Sequence, residues 1–429
     1  MMEPGAAFSD RVSSFRLQGG ARLAVLSNPH APTVTVAGTL LAGPAWAKNG
    51  RFAVPGMVAA MLDRGTIDHS RIELARELED HGLQLVVRAS ASTPTIVSFS
   101  AQGLAEELPR LVRLLTEVLR RPSFPVGELD KLREQVLGSL VREREETSAR
   151  AFAALTRGLF PEGHPLHRRP IEVREKEMRS LTCDELADFH TAVYGPATIA
   201  FAVVGDVEAG NVATLVEDEL AEWVGAEQAV LTRDEDLSTE SPEERIQIAD
   251  RPNIDVFLGH RGRLLRGDAD YPASVLANSC LGQSTLTSRL GVAVRDGAGL
   301  TYGIYSRFFG TLHVAGPWAT VLGVSADNLD RAVELSLEVI ARYVDEGPTE
   351  EELADERSAL AGAYRVGLAT NSGIARELVT ALTADEPIER LDSFPEQLLA
   401  VERDQVVEAI RTHFHPDQIL VTAAGDFEG

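Results

Sequence analysis

Residues 196–208 read PATIAFAVVGDVE, and residues 416–428 read PDQILVTAAGDFE. Pro196 stands over Pro416, Ile199 over Ile419, Gly205 and Asp206 over Gly425 and Asp426, and Glu208 over Glu428, every pair 220 positions apart without a gap. Working outward, Asp184 falls over Asp404. Glu128, Leu129 and Arg133 lie over Glu352, Leu353 and Arg357, 224 apart, and Ser70-Arg71 over Ser288-Arg289, 218 apart. Three blocks in one order at nearly one offset describe a duplicated domain, because the period is far longer than a solenoid repeat. The copies are expected at 10–230 and 246–429. The polar, acidic stretch 231–245, with its Ser-Pro, has the composition of a linker between them.

Within each copy the pattern mixes periods of two and of 3.6. In the first copy Thr33–Leu41, Leu83–Val87, Thr95–Ser100 and Ile199–Val204 read as strands, and Ala53–Asp63, Ser70–His81, Ala105–Arg120 and Val126–Arg150 as helices. In the second, Ile254–Leu258, Leu300–Arg307 and His313–Val324 read as strands, and Asn328–Val344, Thr349–Val366 and Asp404–His413 as helices. Strand groups separated by helix pairs imply an α+β fold: two tandem duplicated domains, each a mainly antiparallel sheet with helices packed on one face.

Composition narrows the function. The 429 residues carry 41 Lys+Arg against 65 Asp+Glu, a net charge of −24. A nucleic-acid binder wants a basic face, and an anionic membrane attracts cations, so neither partner is expected. Cys183 and Cys280 stand far apart with no CxxC, which excludes a disulfide framework and a thiolate zinc site. The N-terminus lacks the basic start and apolar core of a signal peptide, and no apolar run reaches the ~18 residues of a membrane span. A cytoplasmic protein is expected.

Chemistry-bearing motifs are sparse. HExxH, HxxEH, GxSxG, P-loop and Rossmann patterns are absent from the sequence. The two close histidine pairs, His164/His167 and His413/His415, read as loop packing and a helix-end cation, and Arg168 and Arg169 beside the first would repel a dication. One segment stands out. In TSRLGVAVRDGAGLTYGIYSRF, residues 287–308, Leu290, Ala293 and Val294 form a short helical face, Gly297 and Gly299 supply a turn, and Leu300–Tyr305 starts a strand. That layout puts Arg295 at a helix end and Tyr302 on the next strand. A guanidinium and a phenol there suit peptide carbonyls or a developing oxyanion. An exposed helix arginine and a strand tyrosine account for the same residues without any function.

At these residues the chain resembles the insulinase/pitrilysin-type (M16) metallopeptidases over nearly its whole length. SRLGVAVRDGAGLTYGIYS looks like the family's second-copy signature, whose arginine and tyrosine, seven residues apart, contact substrate; Arg295 and Tyr302 have that spacing. LFPEGHPLHRRP and YGPATIAFAVVGDV are similar to other family landmarks. Where zinc-bearing members carry HxxEH ahead of a segment like MLFKGT, this chain has MLDRGT at Met61–Thr66. The two histidine positions then hold Gly56 and Ala60, the general-base position Ala59, and the third-ligand position before the LFP landmark Arg157. The resemblance therefore implies a chain that binds no zinc itself. It implies the partner-dependent subunit of a two-chain metalloendopeptidase, inactive alone, in which an HxxEH-bearing homologue holds zinc and its glutamate acts as base. Arg295 and Tyr302 would bind the peptide and stabilise the oxyanion in trans. A catalytically inactive scaffold or assembly protein of the same fold is the alternative.

Overall fold

The computed structural model describes residues 7–90, 93–226 and 243–428. Along the first half of the chain run β1 (Val12–Arg16), β2 (Arg22–Ser27), β3 (Thr33–Leu40), α1 (Ala53–Met61), α2 (Arg71–Asp80), β4 (Gln84–Ala89), β5 (Val97–Leu104), α3 (Leu108–Arg120), α4 (Val126–Glu143), α5 (Thr147–Leu159), α6 (Ile171–Ser180), α7 (Cys183–Val193), β6 (Ile199–Gly205) and α8 (Ala209–Leu220). The second half gives β7 (Glu244–Gln247), β8 (Asn253–His260), α9 (Tyr271–Asn278), β9 (Ile304–Phe308), β10 (Trp318–Ser325), α10 (Leu329–Glu346), α11 (Glu350–Gly367), α12 (Asn371–Thr383), α13 (Arg390–Ala400), α14 (Arg403–His413) and β11 (Leu420–Gly425).

The sheets prove the duplication. The first has the order β1-β2-β6-β3-β5-β4, the second β7-β11-β8-β10-β9. Without β1 the two orders are the same: one parallel pair (β2 with β6, β7 with β11), then antiparallel pairing throughout. The matched segments quoted first are β6 and β11, each beside the parallel strand of its sheet. β6 is buried at every position, which explains why it reads as a continuous apolar run rather than an alternating one.

The chain forms two compact units, and neither is contiguous in sequence. One comprises Met1–Val136, Lys176–Thr232 and Tyr364–Ser393; the other comprises Leu137–Glu175, Arg233–Ala363 and Phe394–Gly429. The boundaries 10–230 and 246–429 thus follow the sequence repeats, whereas the compact units trade one segment each way. Of the expected linker, residues 231–242 lie outside the described residues, and Glu244 and Arg245 already belong to β7.

The exchanged segments are helices 224 positions apart. In the first unit α12 lies on β6 and β3, where Ile374, Ala375 and Leu378 bury against Ala24, Leu26, Ala202 and Val204. In the second, α5 lies on β11 and β8, where Ala151, Leu155 and Leu159 pack against Phe257, Ala319, Leu420 and Ala424. The single helix expected over Val126–Arg150 is therefore two. α4 stops at Glu143, residues 144–146 turn, and α5 restarts at Thr147. Glu143 explains the stop. Its carboxylate accepts from both Arg168 (3.0 Å) and Arg174, which fixes the chain at the helix end.

Candidate functional site

The segment around Arg295 is anchored from its start. Arg289 donates two bonds to the Glu352 carboxylate (2.8 Å each) and a third to the Gly347 carbonyl (2.9 Å), with its guanidinium over the Tyr343 ring. Leu290 and Val294 are fully buried, as the apolar spacing predicts. Gly291 sits against the preceding loop: a Cβ there would meet the Thr285 carbonyl oxygen at 2.2 Å, so only glycine fits. Residues 291–297 then form a widened, π-type turn. The Ala298 N–H bonds back to Ala293 and the Leu300 N–H to Val294. Gly299 reverses the chain with φ +65°, in the left-handed region.

The reversal brings Arg295 and Tyr302 together. Arg295 Nε donates to the Tyr302 backbone carbonyl at 3.2 Å, and Nη1 bonds Asp296 Oδ1 at 2.6 Å. Tyr302 is not on β9, which starts at Ile304, but in the approach to it. The neighbouring Thr301 is buried. Its hydroxyl donates to the Gly323 carbonyl (2.7 Å) and accepts from the Gly303 N–H (3.1 Å). The backbone at Tyr302 is therefore held from both sides while its ring is 100% exposed. Such a constellation offers an arginine N–H edge and a phenol to solvent from a rigid turn.

The positions that the resemblance aligns with a zinc site can be placed as well. Gly56, Ala59 and Ala60 share α1 in the first unit, with Ala59 buried, and a Cβ on Gly56 would meet open space. None of the three side chains has a donor atom for a metal, so the residues present do not fit a zinc ion. Arg64, which the sequence reading passed over, donates Nε to the Ala60 carbonyl (3.1 Å) and Nη2 to Gln135 (3.2 Å). Its Nη1 pairs with Glu128 at 3.5 Å, so the guanidinium at that end of α1 is held by a carboxylate. Arg157 lies on α5, in the second unit, and bonds Glu244 at 3.1 Å. Among the described residues, no group of three or more His, Cys, Asp or Glu side chains is placed to hold a metal.

The histidine pairs have structural partners. His164 stacks on Phe160, and its Nδ1 accepts from the Leu166 N–H (3.1 Å); His167 Nδ1 bonds the Phe160 carbonyl (2.7 Å). His413 Nε2 bonds Asp270 at 2.8 Å. No helix among the described residues is long and apolar enough to cross a membrane.

Comparison with known proteins agrees with this fold. Residues 180–360 match the family described as Peptidase M16 inactive domain. A protein of Bacillus subtilis named uncharacterized zinc protease YmxG is 23% identical over 414 residues, covering 95% of this chain and 97% of that protein. A Helicobacter pylori protein named non-peptidase homolog YmxG is 21% identical over 311 residues, covering 71% and 69%. The crystal structure of a peptidase M16 inactive domain from Pseudomonas fluorescens superposes with a TM-score of 0.89 at 24% identity, over 97% of this chain and 98% of that one. Residues 180–360 thus match the M16 inactive domain, and nearly the whole chain shares its fold with a solved structure of that description.

Proposed function

We propose that this chain is the zinc-less half of a two-chain metallopeptidase, holding peptide with Arg295 and Tyr302 while an HxxEH-bearing homologue carries the metal. One observation bears the weight. Arg295 is fastened to the Tyr302 carbonyl at 3.2 Å on a turn pinned by Thr301, and the Tyr302 phenol is fully exposed. A rigid donor pair directed at solvent is an arrangement for a ligand, since the fold itself gains nothing from the free phenol. The α1 positions lack metal ligands, so the chain's own contribution is binding and charge stabilisation. The guanidinium edge donates to a peptide carbonyl, and the phenol donates to the oxygen that becomes negative.

The test is substitution in the assembled pair. Arg295→Ala should leave association with the partner intact and lower the turnover of the complex by ~10²–10³, the cost of one oxyanion donor. Unchanged turnover would reject the role. A second reading, a non-enzymatic scaffold, draws support from the similarity to the relative named a non-peptidase homolog. It expects association without any gain of proteolysis.

A further inference from the structure

Arg295 and Tyr302 stand among exposed apolar side chains, and Arg295 itself is neutralised. Leu286 is 59% exposed, Val292 51% and Tyr305 39%, around the fully exposed Tyr302. The local geometry ties these to one turn. Thr285 Oγ1 donates to the Ile304 carbonyl at 3.2 Å, which fastens the loop bearing Leu286 to the start of β9. Val292 lies about one turn ahead of Arg295 in the widened helix. Tyr305 is on β9 itself, on the solvent-facing side of an alternating strand. Single exposed hydrophobic residues are ordinary, but three of them around a pinned polar pair mark an interaction surface.

Charge is the second observation. Asp296 Oδ1 takes Arg295 Nη1 at 2.6 Å, and the Tyr302 carbonyl takes Nε, which leaves Nη2 as the open edge. The ion pair cancels the formal charge at this point. A neutral backbone carbonyl needs only one donor and brings no charge to desolvate. A carboxylate seeks the bidentate fork that Asp296 already half occupies, and would sit beside Asp296 at the same time. A cationic side chain would meet the Arg295 guanidinium. The Arg295 position thus suits neither sign, although the chain as a whole carries −24.

We infer that this surface selects uncharged peptide segments with bulky apolar side chains, and that Asp296, by holding and neutralising Arg295, is the residue that sets this selectivity. The inference rests on the peptide-holding reading of Arg295 and Tyr302 and adds the substrate class. Asp296 is a positioning residue: it acts through the guanidinium.

The experiment measures binding of three short peptides, capped at both ends and fluorescently labelled, to the full-length chain by anisotropy. One has a central leucine flanked by Phe and Gln; the other two replace that leucine with Glu or Lys. The wild type should bind the leucine peptide roughly tenfold more tightly than either charged one. Asp296→Asn keeps an acceptor beside Nη1 but removes the charge, so it should raise the affinity for the Glu peptide about tenfold and weaken the Lys peptide further. Asp296→Glu should restore the wild-type ranking. Equal binding of all three peptides by the wild type, or a D296N change that is the same for the Glu and Lys peptides, would overturn the selectivity while leaving peptide binding standing. If no peptide binds, the peptide-holding reading falls, and this inference with it.

Discussion

Thr39 and Thr383 are 344 positions apart in sequence, yet their hydroxyls hydrogen-bond at 2.6 Å in a buried site between β3 and α12. Thr383 donates its own proton to the Val379 carbonyl (2.6 Å), so Thr39 is the donor between the two. Asn28 with Asn371 (2.7 Å) and Gln102 with Ser372 (2.8 Å) fasten the same helix to the same sheet. Thr39→Val and Thr383→Val should each cost about 1–2 kcal/mol, because each leaves a buried hydroxyl short of a partner. The double substitution should cost much less than the sum, and a double-mutant cycle by urea unfolding checks this.

The exchange of α5 and α12 makes each sheet depend on both halves of the chain. A fragment ending at residue 230 lacks α12, and one starting at 243 lacks α5. Neither should fold alone, and the two should associate into a folded complex when produced together. Circular dichroism and gel filtration read both outcomes. Two independently folded fragments would contradict the exchange.

Glu143 binds two arginines at the end of α4, and although burial raises its pKa, Arg174 and Arg168 hold it below the ordinary glutamate value. A depressed carboxylate contributes stability above its unfolded pKa and loses it as pH falls through the folded one. Glu143→Gln should therefore destabilise by about 3 kcal/mol at pH 7, leaving Arg168 and Arg174 short of a charge. The difference from wild type should shrink as pH falls from about 4 through the depressed folded pKa, below which both carry an uncharged side chain. Thermal melts of the two proteins across pH measure it.

His260 is fully buried and stacked on Trp318, and burial pushes its pKa down to about 4. Its Nδ1 donates to the Arg261 carbonyl (3.0 Å), and Nε2 accepts the His415 N–H (3.3 Å), so the folded state needs the neutral ring. The unfolded histidine, with a pKa near 6.5, takes up its proton first as pH falls. Stability should drop between about pH 6.5 and 4, by roughly 3 kcal/mol from this residue. His260→Gln should be less stable at pH 7 and show a flatter slope in that window.

Gly291→Ala should strain the turn that presents Arg295, because its Cβ would lie 2.2 Å from the Thr285 carbonyl oxygen. A cost of about 2 kcal/mol is expected, with loss of peptide binding comparable to Arg295→Ala. Calorimetry and the anisotropy assay read the two effects separately.

The duplication was legible from Pro196/Pro416 to Glu208/Glu428 because β6 and β11 are core strands whose every position is constrained by packing. The exchange was not. Residues 144–150 keep helical periodicity across the turn, and only the capture of Glu143 by Arg168 and Arg174, a tertiary contact, ends α4. Arg295 and Tyr302 are visible by type and spacing, but the strand preference of tyrosine and its apolar neighbours places Tyr302 on the strand. The glycine-driven reversal and the Thr301 anchor instead hold it just ahead of β9. Asp296 and Arg64 are not legible in the sequence, because charged residues beside an arginine or after a helix are common, and only the bonds to Arg295 and to the Ala60 carbonyl give them meaning.

The central claim is that this chain is half of a peptidase. The direct test is cleavage of a mixed peptide pool by the chain alone, and then after addition of the HxxEH-bearing homologue from the same source. The account predicts no cleavage by the chain alone, strong cleavage on mixing, and loss of that gain with Arg295→Ala. Cleavage by the chain alone that a chelator abolishes would contradict it, and so would mixing that yields a stable complex with no gain in cleavage.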